Sequence, residues 1–581
     1  MSTAAGRPLR IDEKARDATR TRRPTTLLIA LLLSGAVFAA YAGTLGNRFI
    51  WDDDDYLTNN SLVREPGGLG RIWFEPTACR QYYPLVFTSF WIEYRIWGLW
   101  AAGYHLINIL QHAVSAVLVW RLLTCLKLPG ALAAAFIFAL HPVNVESVAW
   151  VAERKNTLSG MLYLLSLYAY LRFDPAKTEH SSSRRNWSAW AWAFVLFVCA
   201  MLSKTVTCTM PAAILVLYWW KGRKLSRRTI LPLIPFFVIG LAISMVTIYV
   251  ERFHAPSYGL EVAMSRWDRL IIAGKAVWFY LGKLIWPVQL SGIYPRWTID
   301  HSQPIEFLPA AAAVLVLISL WGMRKRIGRG PLAAGLFFCG TLAPMLGFFD
   351  ITYFTYSFVA DRFQYLASLG PICALAVVLH HSLLRGRYGA WGAAAIVMMV
   401  TALGVLTSLQ CMRYRDYETY FGKLIEDNSP QAWLAHYDLA VLKTEEQQYL
   451  AAIDQLRECL RENPNYAPAH NNLGRLCGLM GDTEEAIREY RKAVELRPRW
   501  ALAHNNLAVQ LINIGDEDGA VEHFRHAVEY MPDFHEARMN LARLLARKGR
   551  VAEARQEYRE VLRRDRNNRG AQDALDRLPM R

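Results

Sequence analysis

Four consecutive carboxylates, Asp52-Asp53-Asp54-Asp55, stand between Phe49-Ile50-Trp51 and Tyr56-Leu57. Adjacent carboxylates repel one another and resist burial, so a short acidic run held against apolar neighbours has the makings of a general base that takes a proton from a hydroxyl. A solvated acidic loop is the plainer alternative. The pair Asp52 and Asp53 is the expected catalytic unit. A base at a bilayer surface can meet a lipid-borne substrate carrying phosphate, and phosphate needs cations. Arg154, Lys155, Lys275, Lys283 and Arg362 are the candidates, although each taken singly also suits snorkelling to a headgroup. Arg362 stands out because Asp361-Arg362-Phe363-Gln364-Tyr365-Leu366 opens an apolar segment, where an arginine has no packing role. His105, Asn108 and His112 fall on one helical stripe, and His141-Pro142-Val143-Asn144-Val145-Glu146 closes the next segment. Their polar groups suit substrate contact through His105, His141 and Glu146, or hydrogen bonding between helices. Histidines at i and i+7 are spaced more widely than an i, i+4 metal pair, so no metal site and no divalent-metal requirement are read from them.

These residues need a membrane scaffold to position them. The chain has 581 residues, of which 53% are hydrophobic and 12% aromatic, with a mean hydropathy of +0.13. That is too apolar for one soluble domain. The net charge of +16 collects in short linkers and in the N-terminal tail, which fits orientation in a bilayer and argues against nucleic acid. Nine cysteines show neither CxxC pairing nor a histidine-rich neighbourhood, so no disulfide framework follows. Residues 1–24 read as a basic cytoplasmic tail. About eleven spans follow within 25–410, near 25–42, 104–125, 129–149, 156–172, 187–203, 206–220, 229–250, 305–322, 331–349, 363–383 and 389–410. The first is read as a retained span, because no clear cleavage site follows it. Residues 268–287 carry Arg269, Lys275 and Lys283 and read as an amphipathic helix in the outer interface. Basic linkers at 221–228, 324–329 and 385–387 then share the cytoplasmic side, and the acidic run and everything beyond 410 lie outside.

After a linker at 411–430, residues 431–581 form a repeat array. Pro430, Pro464, Pro498 and Pro532 recur every 34 residues, with Leu473-Gly474, Ala486, Tyr490 and Ala493 echoed by Leu507-Ala508, Ala520, Phe524 and Ala527. Period and residue types resemble tetratricopeptide repeats, in which small residues let paired helices approach. The first unit is degenerate, with Lys443 and Leu456 at two aromatic positions. Asn472, Asn506 and Asn540 are also 34 apart, in phase with Asp438, and a ladder of side-chain amides can hold an extended peptide backbone. Inherited consensus is the alternative. The expected fold is therefore all-α, a polytopic membrane domain followed by an α-solenoid.

Taken in order, Phe49-Ile50-Trp51-Asp52-Asp53 with Asn59, Tyr104-His105-Leu106-Ile107-Asn108 with His112, His141-Pro142 with Glu146 and Arg154, Asp361-Arg362 with Tyr365-Leu366, and the C-terminal repeats resemble the transmembrane and tetratricopeptide-repeat O-mannosyltransferases. These are C-type, lipid-donor glycosyltransferases. The resemblance covers almost the whole chain beyond the tail. It implies a multispanning fold with an outward catalytic loop, a polyprenyl-phosphate-linked sugar as donor, and inverting transfer of mannose or a similar hexose to hydroxyls of an exported protein; no cofactor is assigned. It maps the acidic pair to Asp52 and Asp53, with Asp52 as base; Asp54 and Asp55 depart from a single pair. The short loops imply a bacterial inner-membrane member, with the acidic loop and repeats on the periplasmic side. A non-catalytic membrane scaffold for envelope assembly would explain the repeats but not the aspartates, and a flippase would call for an internal symmetry that the chain lacks.

Overall fold

The computed structural model describes residues 12–579 other than 80, 175–184, 254–263, 350, 385–388 and 428–431, without side chains for 12–24 and 252–253. Among the described residues every regular element is helical. Pro430 and the basic run 385–387 lie outside them. The chain divides into two compact units, 1–420 and 421–581.

In the first unit each apolar segment read from sequence lies in helix. Among the described residues five helices are long and apolar enough to cross a membrane on that basis alone: Thr25–Gly46, Ala101–Cys125, Arg227–Glu251, Pro304–Met323 and Gly389–Tyr414. Ala131–Leu140 and Pro142–Ala149 form a pair bent by 53°, and Trp187–Met201, Thr205–Trp220, Gly330–Met345 and Leu369–Leu384 are shorter apolar helices. The bend falls at His141-Pro142, where proline opens a new turn and removes a backbone donor. Two departures from the sequence reading concern helix ends. The first helix begins at Asp12, so the latter half of the basic tail is helical. The expected linker after 410 contains the helix Tyr417–Glu426.

Arg266–Ile285 is the amphipathic helix expected at 268–287. A capping box between Ser265 and Asp268 starts it, and one face buries Ile271, Ile272, Ala276 and Tyr280. From that face the Tyr280 hydroxyl accepts the amide of Ala360 at 3.2 Å, bracing the turn that carries Arg362.

The ends of the unit differ in charge. Lys221 donates to the Leu126 carbonyl and Arg329 to the Trp219 carbonyl at 2.9 Å, which gathers two of the basic linkers at one end. At the end that carries the acidic run, the amide of Arg48 meets the carbonyl of Arg415 at 2.7 Å, so the last apolar helix finishes beside the first.

The second unit stacks helix pairs. Gly474 lies against the Ala486 carbonyl and the Tyr490 ring, and a Cβ at that position would come within 3.1 Å of both, which explains why the repeat keeps a small residue there. Each inner helix is tied to its partner at the same register: His436 to Gln455, His470 to Glu489, His504 to His523 and Arg538 to Glu557. The turn within each repeat needs a left-handed residue, supplied by Gly481, Gly515 and Gly549 at φ between +77° and +88°. In the degenerate first unit the same turn is made by Gln447 at φ +61°. A side chain in that region costs about 1 kcal/mol. Gln447→Gly is therefore expected to raise the thermal midpoint of the repeat unit by a few degrees, as followed by circular dichroism; an unchanged or lower midpoint would show that the turn is unstrained.

Candidate active site

The acidic run folds into a wide, i→i+5 bonded helical turn, Asp54–Thr58, entered through Trp51 at φ +45°. A non-glycine residue holds such a φ only where its surroundings fix it. Here Trp51 stacks on Trp150 at 5.4 Å between ring centroids, and the Trp150 indole donates to the Ile50 carbonyl at 3.3 Å. Asp53 closes the clamp. One carboxylate oxygen accepts the Ile50 amide at 2.9 Å and the other the Ala152 amide at 2.6 Å. Burial pushes this carboxyl well above the usual carboxylate range, against the two amide donors that pull it down.

The structure thus separates the expected catalytic pair. Asp53 is an anchor with both oxygens engaged by backbone, whereas Asp52 borders a cavity of about 120 Å³. Lys155, Lys204 and Arg362 line that cavity too, with Tyr56, Gln81, Glu251 and Tyr353. Asp54 accepts Thr58 at 2.6 Å and does not border it.

Three cations converge because a fully buried carboxylate, Glu153, sits behind them. Lys155 lies 3.0 Å from Glu153, Arg362 lies 3.3 Å away and Lys204 lies 4.0 Å away. Burial alone would push Glu153 up, but the charges of Lys155, Arg362 and Lys204 outweigh it and hold the carboxyl below its ordinary value. Glu146 completes the arrangement by pairing with the Arg362 guanidinium and accepting the Arg362 amide at 2.8 Å. Lys204 donates to Asn156 at 2.6 Å, and Asn156 in turn donates to Glu153 at 2.7 Å. Burial, with repulsion from Lys155 and Arg362 overriding the attraction of Glu153, brings the Lys204 ammonium down to about 7. Lys155 donates to the Tyr56 hydroxyl at 3.3 Å, and Tyr56 connects through Gln81 to Glu251.

The remaining sequence candidates lie elsewhere. Arg154 is buried one position from Lys155 but on another face of its helix. It pairs with Glu93 and donates to Asn108 at 2.9 Å and to the Tyr104 carbonyl at 2.8 Å, so it holds helices together instead of meeting phosphate. Lys275 is 2.5 Å from Glu306, and Lys283 donates to the carbonyls of Val288 and Gln289; neither borders the Asp52 cavity. His105 is buried beside Asn47, Arg48 and Ala149, and His141 contacts the Leu284 carbonyl at 3.0 Å; neither borders the Asp52 cavity. His112, from the same stripe as His105, meets the Tyr365 hydroxyl at 2.8 Å. Glu146 acts on the site through Arg362. Sequence reading passed over Glu153 and Lys204. Glu153 stands in Ala152-Glu153-Arg154-Lys155, where it reads as part of a mixed-charge helix start, and Lys204 stands alone between two apolar segments.

In the repeats, Asn472 donates to the Tyr437 hydroxyl at 3.2 Å, Asn506 to Asn471 at 3.0 Å and Asn540 to Asn505 at 3.2 Å. The ladder is half-buried and stitches each unit to the one before it, leaving amide valences for a further partner.

Comparison with known proteins places relatives on both units. Family models described as tetratricopeptide repeat match residues 467–500 and 515–578. A Xenopus laevis protein named protein O-mannosyl-transferase tmtc2 is 31% identical over 237 residues, 37% of this chain and 28% of that protein. Human protein O-mannosyl-transferase TMTC1 is 27% identical over 518 residues, 79% of this chain and 57% of that one, and the Caenorhabditis elegans protein O-mannosyl-transferase F38B6.6 is 25% identical over 64% and 54%. The matched part is thus between about a quarter and three fifths of the length of these relatives. The repeats and these alignments agree: over part of their length the chain is similar to proteins named protein O-mannosyl-transferase, and its C-terminal portion matches tetratricopeptide repeats.

Proposed function

We propose that the chain is an integral-membrane glycosyltransferase. It takes mannose or a similar hexose from a polyprenyl-phosphate-linked donor and transfers it to hydroxyl groups of exported proteins at the outer face of a bacterial inner membrane. The observation that carries this reading is the shared cavity, whose lining brings the Asp52 carboxylate together with Lys155, Lys204 and Arg362. Asp52 accepts the proton of the attacking hydroxyl. The acceptor oxygen bonds to the sugar's anomeric carbon as the bond from that carbon to the phosphate oxygen breaks, with inversion. The leaving lipid phosphate gathers charge, and the three cations stabilise it. Glu153 and Glu146 keep those cations oriented while the site is empty. The repeats present the acceptor protein.

Asp52→Asn keeps the shape of the side chain and removes its basicity, so transfer is expected to fall by about 10² to 10⁴ in rate while the protein stays folded and in the membrane. Mass spectrometry of exported proteins, scored for hexose, reads the loss; unchanged glycosylation would exclude Asp52 as base. Asp53→Asn is expected to act differently, lowering the thermal midpoint through the loss of an acceptor for Ile50 or Ala152.

Lys204 gives the site a pH dependence. It is charged below about 7 and neutral above, whereas the donor's phosphodiester keeps one negative charge throughout. The KM for donor is expected to rise about tenfold between pH 6 and 8.5, the worth of a charge-assisted hydrogen bond. Lys204→Met should flatten that rise, and a parent profile that is flat over this range would remove Lys204 from phosphate binding.

If the amide ladder holds the acceptor backbone, replacing Asn472, Asn506 and Asn540 by Ala should weaken binding of a long protein acceptor and spare transfer to a short Ser/Thr peptide. Equal loss on both acceptors, with a lowered thermal midpoint, would assign the ladder to repeat stacking alone.

A further inference from the structure

Away from the Asp52 cavity, the helix bundle contains a second void of about 130 Å³, lined almost wholly by apolar side chains. It opens among Leu126 and Leu128, in the turn that follows the helix Ala101–Cys125, and Leu164, Trp220, Gly330 and Ala374, on four further helices. Helix interiors are close-packed, so an apolar gap of this size forfeits contacts unless something apolar fills it. Its lining on the helix Arg154–Phe173 begins at Tyr163, roughly 12 Å by helix rise beyond Lys155. The void is therefore separate from the cavity of the proposed reaction.

Its mouth is basic. Lys127 stands between the lining residues Leu126 and Leu128, Lys221 follows Trp220, and Arg329 precedes Gly330. All three are exposed, and among the described residues no carboxylate pairs with any of them. The nearby Asp174 is taken by Arg223 at 3.0 Å. Lys221 lies over the Trp220 ring at 3.8 Å and reaches the Leu126 carbonyl, which places an ammonium at the rim of the gap. Burial and repulsion from Lys127 hold Lys221 below its ordinary value, the mark of cations gathered without a counter-charge. Left-handed backbone at Lys127 and Gly130 turns the chain tightly here, and a Cβ on Gly130 would lie 2.4 Å from the Ala376 carbonyl oxygen, so the rim is closely built.

We infer that this fissure is a structural site for one anionic phospholipid, with an acyl chain between the helices and the headgroup phosphate held by Lys127, Lys221 and Arg329. An apolar slot beside a cluster of cations that, among the described residues, have no carboxylate partner matches that molecule in both parts. A zwitterionic lipid has the chain but cancels the charge at the mouth, and a soluble anion has the charge but no use for the slot.

The experiment takes the full chain, purified and delipidated in detergent, and equilibrates it with mixed vesicles of phosphatidylglycerol and phosphatidylcholine before repurification and extraction of the bound lipid. Retained phosphatidylglycerol should exceed phosphatidylcholine at least about tenfold, and it should raise the thermal midpoint of the parent. The variant Lys127→Gln, Lys221→Gln, Arg329→Gln should lose the headgroup preference, and Ala374→Phe, which fills the slot, should lose retention of either lipid. A single Lys127→Gln change at the exposed rim, which disturbs no packing, should lower the preference several-fold on its own. Equal retention of both lipids by the parent, or a preference unaltered in the rim variants, would overturn the inference. So would displacement of phosphatidylglycerol by an equimolar polyprenyl phosphate, which would assign the slot to a prenyl chain.

Discussion

The arrangement rests on one buried carboxylate. Lys155, Lys204 and Arg362 come from three separate stretches of chain and would repel one another across a small cavity; Glu153, enclosed behind them, is the charge that lets them meet. Removing a buried counter-charge of this kind costs about 3–5 kcal/mol, because the cations left behind lose solvent and partner together. Glu153 stands immediately before the helix Arg154–Phe173. Its chain neighbour Arg154 turns to Glu93 and Asn108 while Lys155 turns to the cavity, so adjacent cations of one turn do unrelated work. One carboxylate thus links the electrostatics of the cavity to the packing of the helices around it.

Support then runs outward in layers. Glu146 orients Arg362, and Tyr280 and Tyr294 hold the turn before it through Ala360 and Asp361. His112 and Asn108, on one helix stripe, reach Tyr365 and the Trp150 carbonyl. Most of the polar motifs within the apolar segments therefore serve the site at one remove. They replace water for backbone and side-chain groups that cannot reach any, which is the general condition for polar residues among apolar helices.

How much of this could be read from the amino acids depends on the range of the interaction. Repeats are visible because a 34-residue period recurs, and helices because 3.6-residue patterns are local; Asp52 and Arg362 are visible because carboxylates and an arginine at the edges of apolar segments have no packing role. What sequence could not separate was Asp52 from Asp53, or Arg154 from Lys155. Adjacent residues differ by about 100° around a helix, and which face meets a cavity is decided by distant segments. Lys204 and Glu153 were passed over for the same reason. Each is ordinary in its own stretch and acquires meaning from a partner elsewhere in the chain, Lys204 lying about 50 residues from Asn156 and Arg362 some 209 from Glu153. The amide ladder shows the converse case, for its period was plain, yet its first partners are the amides of the preceding unit.

The clamp on the acidic turn has a consequence for the order in which the molecule is made. Asp53 is secured by the Ala152 amide, 99 residues later, and Trp51 lies against Trp150. Until synthesis has passed those positions the turn has no partner, and the left-handed backbone at Trp51 has nothing to hold it. The emerging chain must carry four ionisable carboxylates past the first apolar helices before their shape exists. Asp52 takes up its place only when the segment bearing Glu153 and Lys155 arrives. Asp52 and Lys155 are therefore brought together only after the clamp residues have been made, Lys204 and Arg362 join later still, and a chain halted before residue 150 would display the acidic run without the surroundings that shape it.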